Sequence, residues 1–301
     1  MRSSEHGRIE AVTLVAPDPS SMAEIYRRVL GQEEVGRHWV DRELGQTWGA
    51  PDTEGRQVVV LQPPSRCGFF LRWVEGTASA IPPRTTFGWA ALELTVQDAD
   101  ALHRRLVEES EFRILGAPSP LPGLPQIYPM QAEGPAGEVL YLNEIRGQLP
   151  HHDLPVAQCE VDRVFIVVLG AEDLEGAVAF YAEELDFDLA DAYEIPIGVV
   201  NEAFGAPVET RTRLQTLCVG RRVQLEVDQF PTQAQGRPTA AGDLPGAMAM
   251  VSFLVDDLEP HRSAALGPSI RRPEAPYLGR EALVRRGAAG ELVELIGTSS
   301  V

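Results

Sequence analysis

One unit is written twice in this chain. APDPSSMAEIYRRVLG, with Asp18, Tyr26 and Leu30, returns as AEDLEGAVAFYAEELD with Asp173, Tyr181 and Leu185, each 155 residues later. WGAP at 48–51 returns as FGAP at 204–207, and PAGEVLYL at 135–142 returns as AAGELVEL at 288–295. Offsets that stay near 155 along the whole length require a duplicated module, so the chain must fold as two related copies rather than as one irregular domain. The break falls in GQLPHHDLPVAQ, 147–158, whose prolines and polar residues read as a linker. The copies are therefore placed at 1–148 and 157–301.

Each copy holds a half-length repeat. RIEAVTLVA alternates like a strand; Asp18 then caps a helix in which Met22, Ile25, Tyr26 and Val29 recur at helical spacing. EVGRHWV, RQVVVLQ and CGFFLRWV follow as three strands. The second half of the copy opens with WAALELTV, runs a helix from Asp98 with Leu102 and Leu106, and closes with FRILG, QIYPMQA and GEVLYLNEI. The second copy repeats this order, with helices after Asp173 and Asp257. The expected fold is α+β, with the order βαβββ four times: two tandem modules whose sheets pack together.

Composition narrows the partners. Acidic residues number 44 against 26 basic ones, every one of the latter arginine, for a formal charge of −18. Such a surface repels a phosphate backbone, so nucleic acid is not expected as a partner. Nowhere do about 18 apolar residues run together, so no membrane is expected either. The N-terminus has no apolar stretch of signal-peptide length. Cys67, Cys159 and Cys218 are far apart and lack a CxxC pair, which fits reduced thiols in a cytoplasmic protein. No phosphate-binding glycine loop and no GxSxG elbow is present, so nucleotide cofactors and serine-hydrolase chemistry are not expected.

DLEGAVAFYAEELDF at 173–187, FLVDDLE at 253–259 and GAAGELVELIG at 287–297, with their counterparts in the first copy, resemble the vicinal oxygen chelate superfamily of glyoxalase I, bleomycin-resistance proteins and extradiol dioxygenases. The resemblance spans essentially the whole chain. It implies paired βαβββ units curled into a half-open barrel whose concave face holds a small-molecule ligand. Members that use a metal take its ligands, usually His or Gln, Glu, His and Glu, from the first and last strands of the units. Alternation along a strand lets one residue of each aim at a common point.

Carried onto the first copy, those positions fall on Ala11, with Glu10 as its neighbour, Arg72, Ala90 or Ala91, and Tyr141. Alanine has no donor and arginine is a permanent cation, so this half is expected to be metal-free. In the second copy they fall on Arg163, Glu226, Met250 and Glu294. Two carboxylates beside one guanidinium would form a charge-compensated cluster, with arginine where a cation would sit. The expected cofactor is none; the alternative is one divalent metal held in the second copy by Glu226 and Glu294. Extradiol dioxygenases hold iron through two histidines and a glutamate, of which only Glu294 is matched, so ring cleavage is the weakest of the three functional alternatives.

The resemblance then implies a lyase or isomerase acting on a hydrophobic or aromatic carbonyl or enolisable compound. Glu294, Glu226, Arg163, Tyr141 and His38 would be catalytic, and Arg72, Met250, Trp39 and Trp89 would line the substrate. The competing expectation is a binding protein that sequesters a compound, as bleomycin-resistance proteins do. A homodimer is a further expectation. His103 and His261 are expected to face solvent, His151 and His152 to lie in the linker, and His6 in a frayed terminus.

Overall fold

The computed structural model describes residues 2–108 and 111–299. The first unit is β1 (Ile9–Ala16), α1 (Pro19–Leu30), β2 (Glu33–Trp39), a short α2 (Arg42–Thr47), β3 (Gln57–Gln62) and β4 (Phe70–Glu75). The second is β5 (Thr86–Val96), α3 (Ala99–Glu108), β6 (Arg113–Gly116), β7 (Ile127–Glu133) and β8 (Val139–Ile145). In the third come β9 (Val161–Ala171), α4 (Leu174–Ala179), β10 (Asp188–Pro196), α5 (Gly198–Ala203), β11 (Arg211–Val219) and β12 (Arg222–Gln229), followed by the two-residue β13 (Gln235–Gly236). The fourth has β14 (Ala247–Val255), β15 (Ile270–Arg271), β16 (Glu281–Arg286) and β17 (Leu292–Gly297).

The repeated aspartates cap these units. Asp18 accepts from the Ser20 and Ser21 amides, and Asp173 from the Gly176 amide, which satisfies donors that a helix start leaves unpaired. Gly31 ends α1 at φ 66°, a left-handed conformation that costs glycine nothing. Asp257 is a correction: the segment after it is a short 3₁₀ helix, Glu259–Ala264, with a proline at its start, not an α-helix.

Two curled sheets result. One runs β15-β16-β17-β14-β1-β4-β3-β2 and the other β10-β11-β12-β9-β5-β8-β7-β6. Each is joined at its centre by antiparallel first strands, β1 with β14 and β5 with β9. The first unit thus shares a sheet with the fourth, and the second with the third. This corrects the expectation that each tandem copy closes its own sheet. Units of the same copy meet instead through side chains. The Tyr26 hydroxyl of α1 donates to Glu138 at 2.8 Å, and the Tyr181 hydroxyl after α4 donates to Glu291 at 2.7 Å. These are the repeated tyrosine and the repeated Gly-Glu of the sequence, and both pairs are buried.

The largest core draws on α1, α3, α4 and one face of each sheet, including Tyr26, Trp73, Trp89, Tyr181 and Phe253. Separate apolar clusters cover the other face of each sheet. Among the described residues no helix is long and apolar enough to cross a bilayer, and the three cysteines are free. Two histidines depart from expectation. His6 is buried with its Nε2 3.0 Å from the Leu185 carbonyl, and His261 is buried against Arg285.

Candidate functional site

Strand alternation places one residue from each of β4, β1, β14 and β17 at the floor of the first concave face: Arg72, Thr13, Ser252 and Glu294. Arg72 Nη2 donates to Glu294 Oε2 at 2.9 Å, and its Nε and Nη2 to Thr13 Oγ1 at 2.9 and 2.7 Å. Its Nη1 donates to the Tyr277 hydroxyl at 2.8 Å, which in turn donates to Glu294 Oε1 at 2.8 Å. Ser252 donates to Glu294 Oε2 at 2.5 Å, and the Trp48 indole to Oε1 at 3.3 Å. The guanidinium also lies 4.8 Å from the centroid of the Trp48 ring. All six side chains are 0% exposed. A buried ion pair with four of the five guanidinium N–H groups bonded and both carboxylate oxygens met is a stable arrangement whose groups are committed to one another.

The same positions of the second sheet hold different chemistry. Glu226 of β12 pairs in register with Val168 of β9, and Glu93 of β5 with Tyr141 of β8. In the repeat these residues answer to Arg72, Thr13, Ser252 and Glu294 respectively. Asp228 follows Glu226 on the same face of β12. Asn143 donates from Nδ2 to Glu93 Oε2 at 3.0 Å. Burial pushes the Glu226 carboxyl up to about 7, even with Asp228 near enough to hydrogen-bond it. Burial also raises Glu93 and Asp228 well above the carboxylate range, and the Glu226 charge adds to the rise in both. The Tyr141 phenol is raised by burial and by these three acids, with Arg84 pulling the other way.

Around this acidic floor the wall is apolar: Val199 and Val200 of α5, Phe230, and the partly buried Phe87, Phe204 and Ile197. Arg84, in the turn before β5, is 3.7 Å from Glu133, while its Nε and Nη1 are buried without a hydrogen-bond partner. Asp228 Oδ1 is likewise buried and unpartnered. Such groups are costly unless a ligand or water meets them. The second face therefore offers unfilled polar capacity beside its acids; on the first face the unpartnered buried atoms are His38 Nε2 and Arg272 Nε, outside the Arg72–Glu294 cluster.

Only part of the sequence-derived set comes together. Glu226 and Tyr141 share the second face. Glu294 belongs to the first, so Glu226 and Glu294 lie in different sheets and cannot hold one metal between them. Arg163 is at neither: it reaches Asp162 at 3.4 Å, and Val168 occupies the β9 position assigned to it. Arg72 takes the place beside Glu294 that Arg163 was expected to take. Met250 packs in the apolar cluster over the first sheet, with Ala11. Trp39 is 62% exposed and Trp89 is buried in the main core with its indole bonded to the Leu292 carbonyl, so neither lines a concave face. His38 lies on edge strand β2 of the first sheet, away from Tyr141 and Glu226; burial lowers its pKa.

Glu93, Asp228 and Tyr277 were not anticipated. Glu93 was legible: matching Asp98 to Asp257 sets it opposite Ser252. Asp228 stands two residues beyond Glu226 in VQLEVD, on the same strand face. Tyr277, in the loop before β16, left no signal.

Neither face suits the metal that the fold implies. In the first, an arginine donates its N–H groups into the space between the donors. In the second, three carboxyls and a phenol lack any imidazole, and among the described residues no three His, Cys, Asp or Glu side chains converge on one point as a metal requires.

No family model and no curated protein matches this chain. Solved structures do. Glyoxalase I from Zea mays is similar over 96% of this chain and 92% of its own, with 16% identity and a TM-score of 0.63. A dioxygenase candidate from Bacillus subtilis is similar over 98% of this chain and 86% of its own, with 12% identity and a TM-score of 0.61. At such identities the likeness is one of fold.

Proposed function

We propose that this chain, which has the vicinal oxygen chelate fold, carries out metal-independent acid–base chemistry on a small carbonyl or enolisable compound at the concave face of its second sheet. The observation that carries this reading is the trio Glu93, Glu226 and Asp228, acids of unequal proton affinity set on one apolar-walled face. A carboxyl held near 7 is ionised often enough at neutral pH to take a proton from carbon, and it returns that proton readily. Neutral acids beside it donate hydrogen bonds to the oxygen on which charge develops. Tyr141 and the unpartnered N–H groups of Arg84 supply further donors. In this reading Glu226 is the base, Glu93 and Asp228 the neutral acids, and the first sheet a structural counterpart.

The test is exchange rather than turnover, because the substrate is unnamed. A panel of aryl and alkyl ketones and 2-oxo acids is incubated with the protein in heavy water, and deuterium at the α-carbon is followed by NMR. The expected result is exchange above buffer for at least one member, rising with pH through about 7 and lost in Glu226→Gln. Binding of panel members with exchange above buffer in none of them, or exchange untouched by Glu226→Gln, would overturn it.

A second reading has its own support. Three acids facing an apolar wall also suit a ligand with an amine on a hydrophobic body, held without reaction. Tight binding of such an amine, unchanged after long incubation and weakened in Glu93→Gln, would favour a sequestering protein.

A further inference from the structure

We infer that a further binding site, bordered by Trp48 of the first concave face and Phe87 of the second but distinct from the acid trio, takes small carboxylates with an aromatic or otherwise apolar body. A pocket of about 360 Å³ opens where the starts of β5, β14 and β17 meet the segment 236–243. Its volume lies within the ~300–1,000 Å³ of small-molecule pockets. Apolar walls come from Phe87, Met248 and Leu292, and Trp48 and Trp89 close its depth.

Two arginines face it, and the charge balance around them favours an anion. Arg237 donates from Nε to Thr86 Oγ1 at 3.0 Å, from Nη1 to the Met248 carbonyl at 2.6 Å and from Nη2 to the Trp89 carbonyl at 2.5 Å. These bonds fix the guanidinium in the wall without neutralising it, and they leave two of its five N–H groups unspent. No carboxylate pairs with it among the described residues. Burial lowers its pKa only to about 10, so it stays charged at neutral pH. Arg286 adds a second cation; its Nη1 is bonded to the Gly290 carbonyl.

The two acids of the lining are already engaged. Asp243 forms a bidentate pair with Arg56, at 2.5 and 2.9 Å. Glu291 accepts from the Tyr181 hydroxyl at 2.7 Å and from the Ala289 amide at 2.9 Å, and burial raises its pKa. In a chain of net charge −18, a pocket with two cations and two committed acids is an exception that an anionic ligand would satisfy.

Isothermal titration of the full chain with 2-naphthoate and with its neutral amide tests this. The acid is expected to bind at millimolar concentration or below and at least about ten-fold more tightly than the amide, as one charge-assisted hydrogen bond would give. Arg237→Gln should abolish that preference, with an unchanged circular dichroism spectrum. Because Arg237 also straps its loop, Arg286→Gln at the exposed rim serves as a second variant, expected to reduce the preference by about three-fold. Equal binding of acid and amide, no binding of the acid, or an unaltered preference in Arg286→Gln would overturn the inference. Glu226→Gln should leave naphthoate binding intact; loss of binding there would move the ligand to the concave face and sink this site while leaving the acid–base proposal standing.

Discussion

Arg72 and Glu294, 222 residues apart in sequence, meet at 2.9 Å with neither side chain exposed to solvent. The pair joins β4 of the first unit to β17 of the fourth, across the β1–β14 seam. The guanidinium supplies the positive charge that balances the buried carboxylate there.

Removing one partner should cost far more than removing both. Arg72→Ala leaves Glu294 buried and uncompensated, and a loss of about 3–5 kcal/mol in urea unfolding is expected. Arg72→Met combined with Glu294→Gln should recover most of it, because no net charge is then left in the interior. A double variant no more stable than the single one would show that the pair contributes more than compensation.

The Tyr–Glu latches should prove structural. Tyr26→Phe leaves Glu138 Oε1 without its buried donor, and Tyr181→Phe does the same to Glu291. Each is expected to lower stability by about 1–3 kcal/mol. A change below about 0.5 kcal/mol in both would mean that the two units of a copy are held together by apolar packing without the latches.

Stability should depend on pH through Glu138. Burial raises its carboxyl from the ordinary 4.5 to about 7, with Tyr26 and two backbone amides pulling it down. Between those values the folded chain keeps a proton that the unfolded chain has released. The contribution is therefore full below about 4.5 and lost as pH rises through about 7, amounting to about 3 kcal/mol. His38 and His261, lowered by burial, act in the opposite sense below about 6.5, so the comparison must be internal. Relative to wild type, Glu138→Gln should gain stability between pH 4.5 and 7.5; a difference that stays flat over that range refutes the assignment.

Metal content is the fourth expectation. A divalent ion on the second face would have to displace protons from Glu93 and Asp228 with no imidazole to help, and on the first it would meet Arg72. Protein dialysed after purification is expected to hold well under one equivalent of iron, zinc, manganese or nickel by elemental analysis. Stoichiometric metal that vanishes in Glu93→Gln or Glu226→Gln would restore metal chemistry at the second face.

Much of the site was within reach of the sequence, but not its grouping. Alternation gave the inward face of each strand, and Ala11, Ala91 and Met250 are each two residues from Thr13, Glu93 and Ser252, the residues at the floor. A period of two names the face and not the depth along it. Arg163 missed by five residues, because its placement assumed an insertion before Asp173 that is not there: β1 and β9 both end two residues before their capping aspartates. The repeated Tyr and Gly-Glu stood out as motifs, yet that they meet as latches within a copy could not be read from either alone.

By itself the sequence determined that the chain holds four repeats of βαβββ type, which residues cap the helices of the first three, and which strand faces are apolar. These follow from local rules: a carboxylate at a helix start, side chains alternating along a strand, a module copied at a constant offset. Tertiary structure alone decided that the first unit joins the fourth and the second the third, and so that Arg72 neutralises Glu294 while Glu226 is left among other acids. The reason is that opening strands are joined by backbone hydrogen bonds, which do not depend on side-chain identity. All of the opening strands offer the same apolar alternation, so the choice among partners rests on how the helices and both sheet faces pack at once.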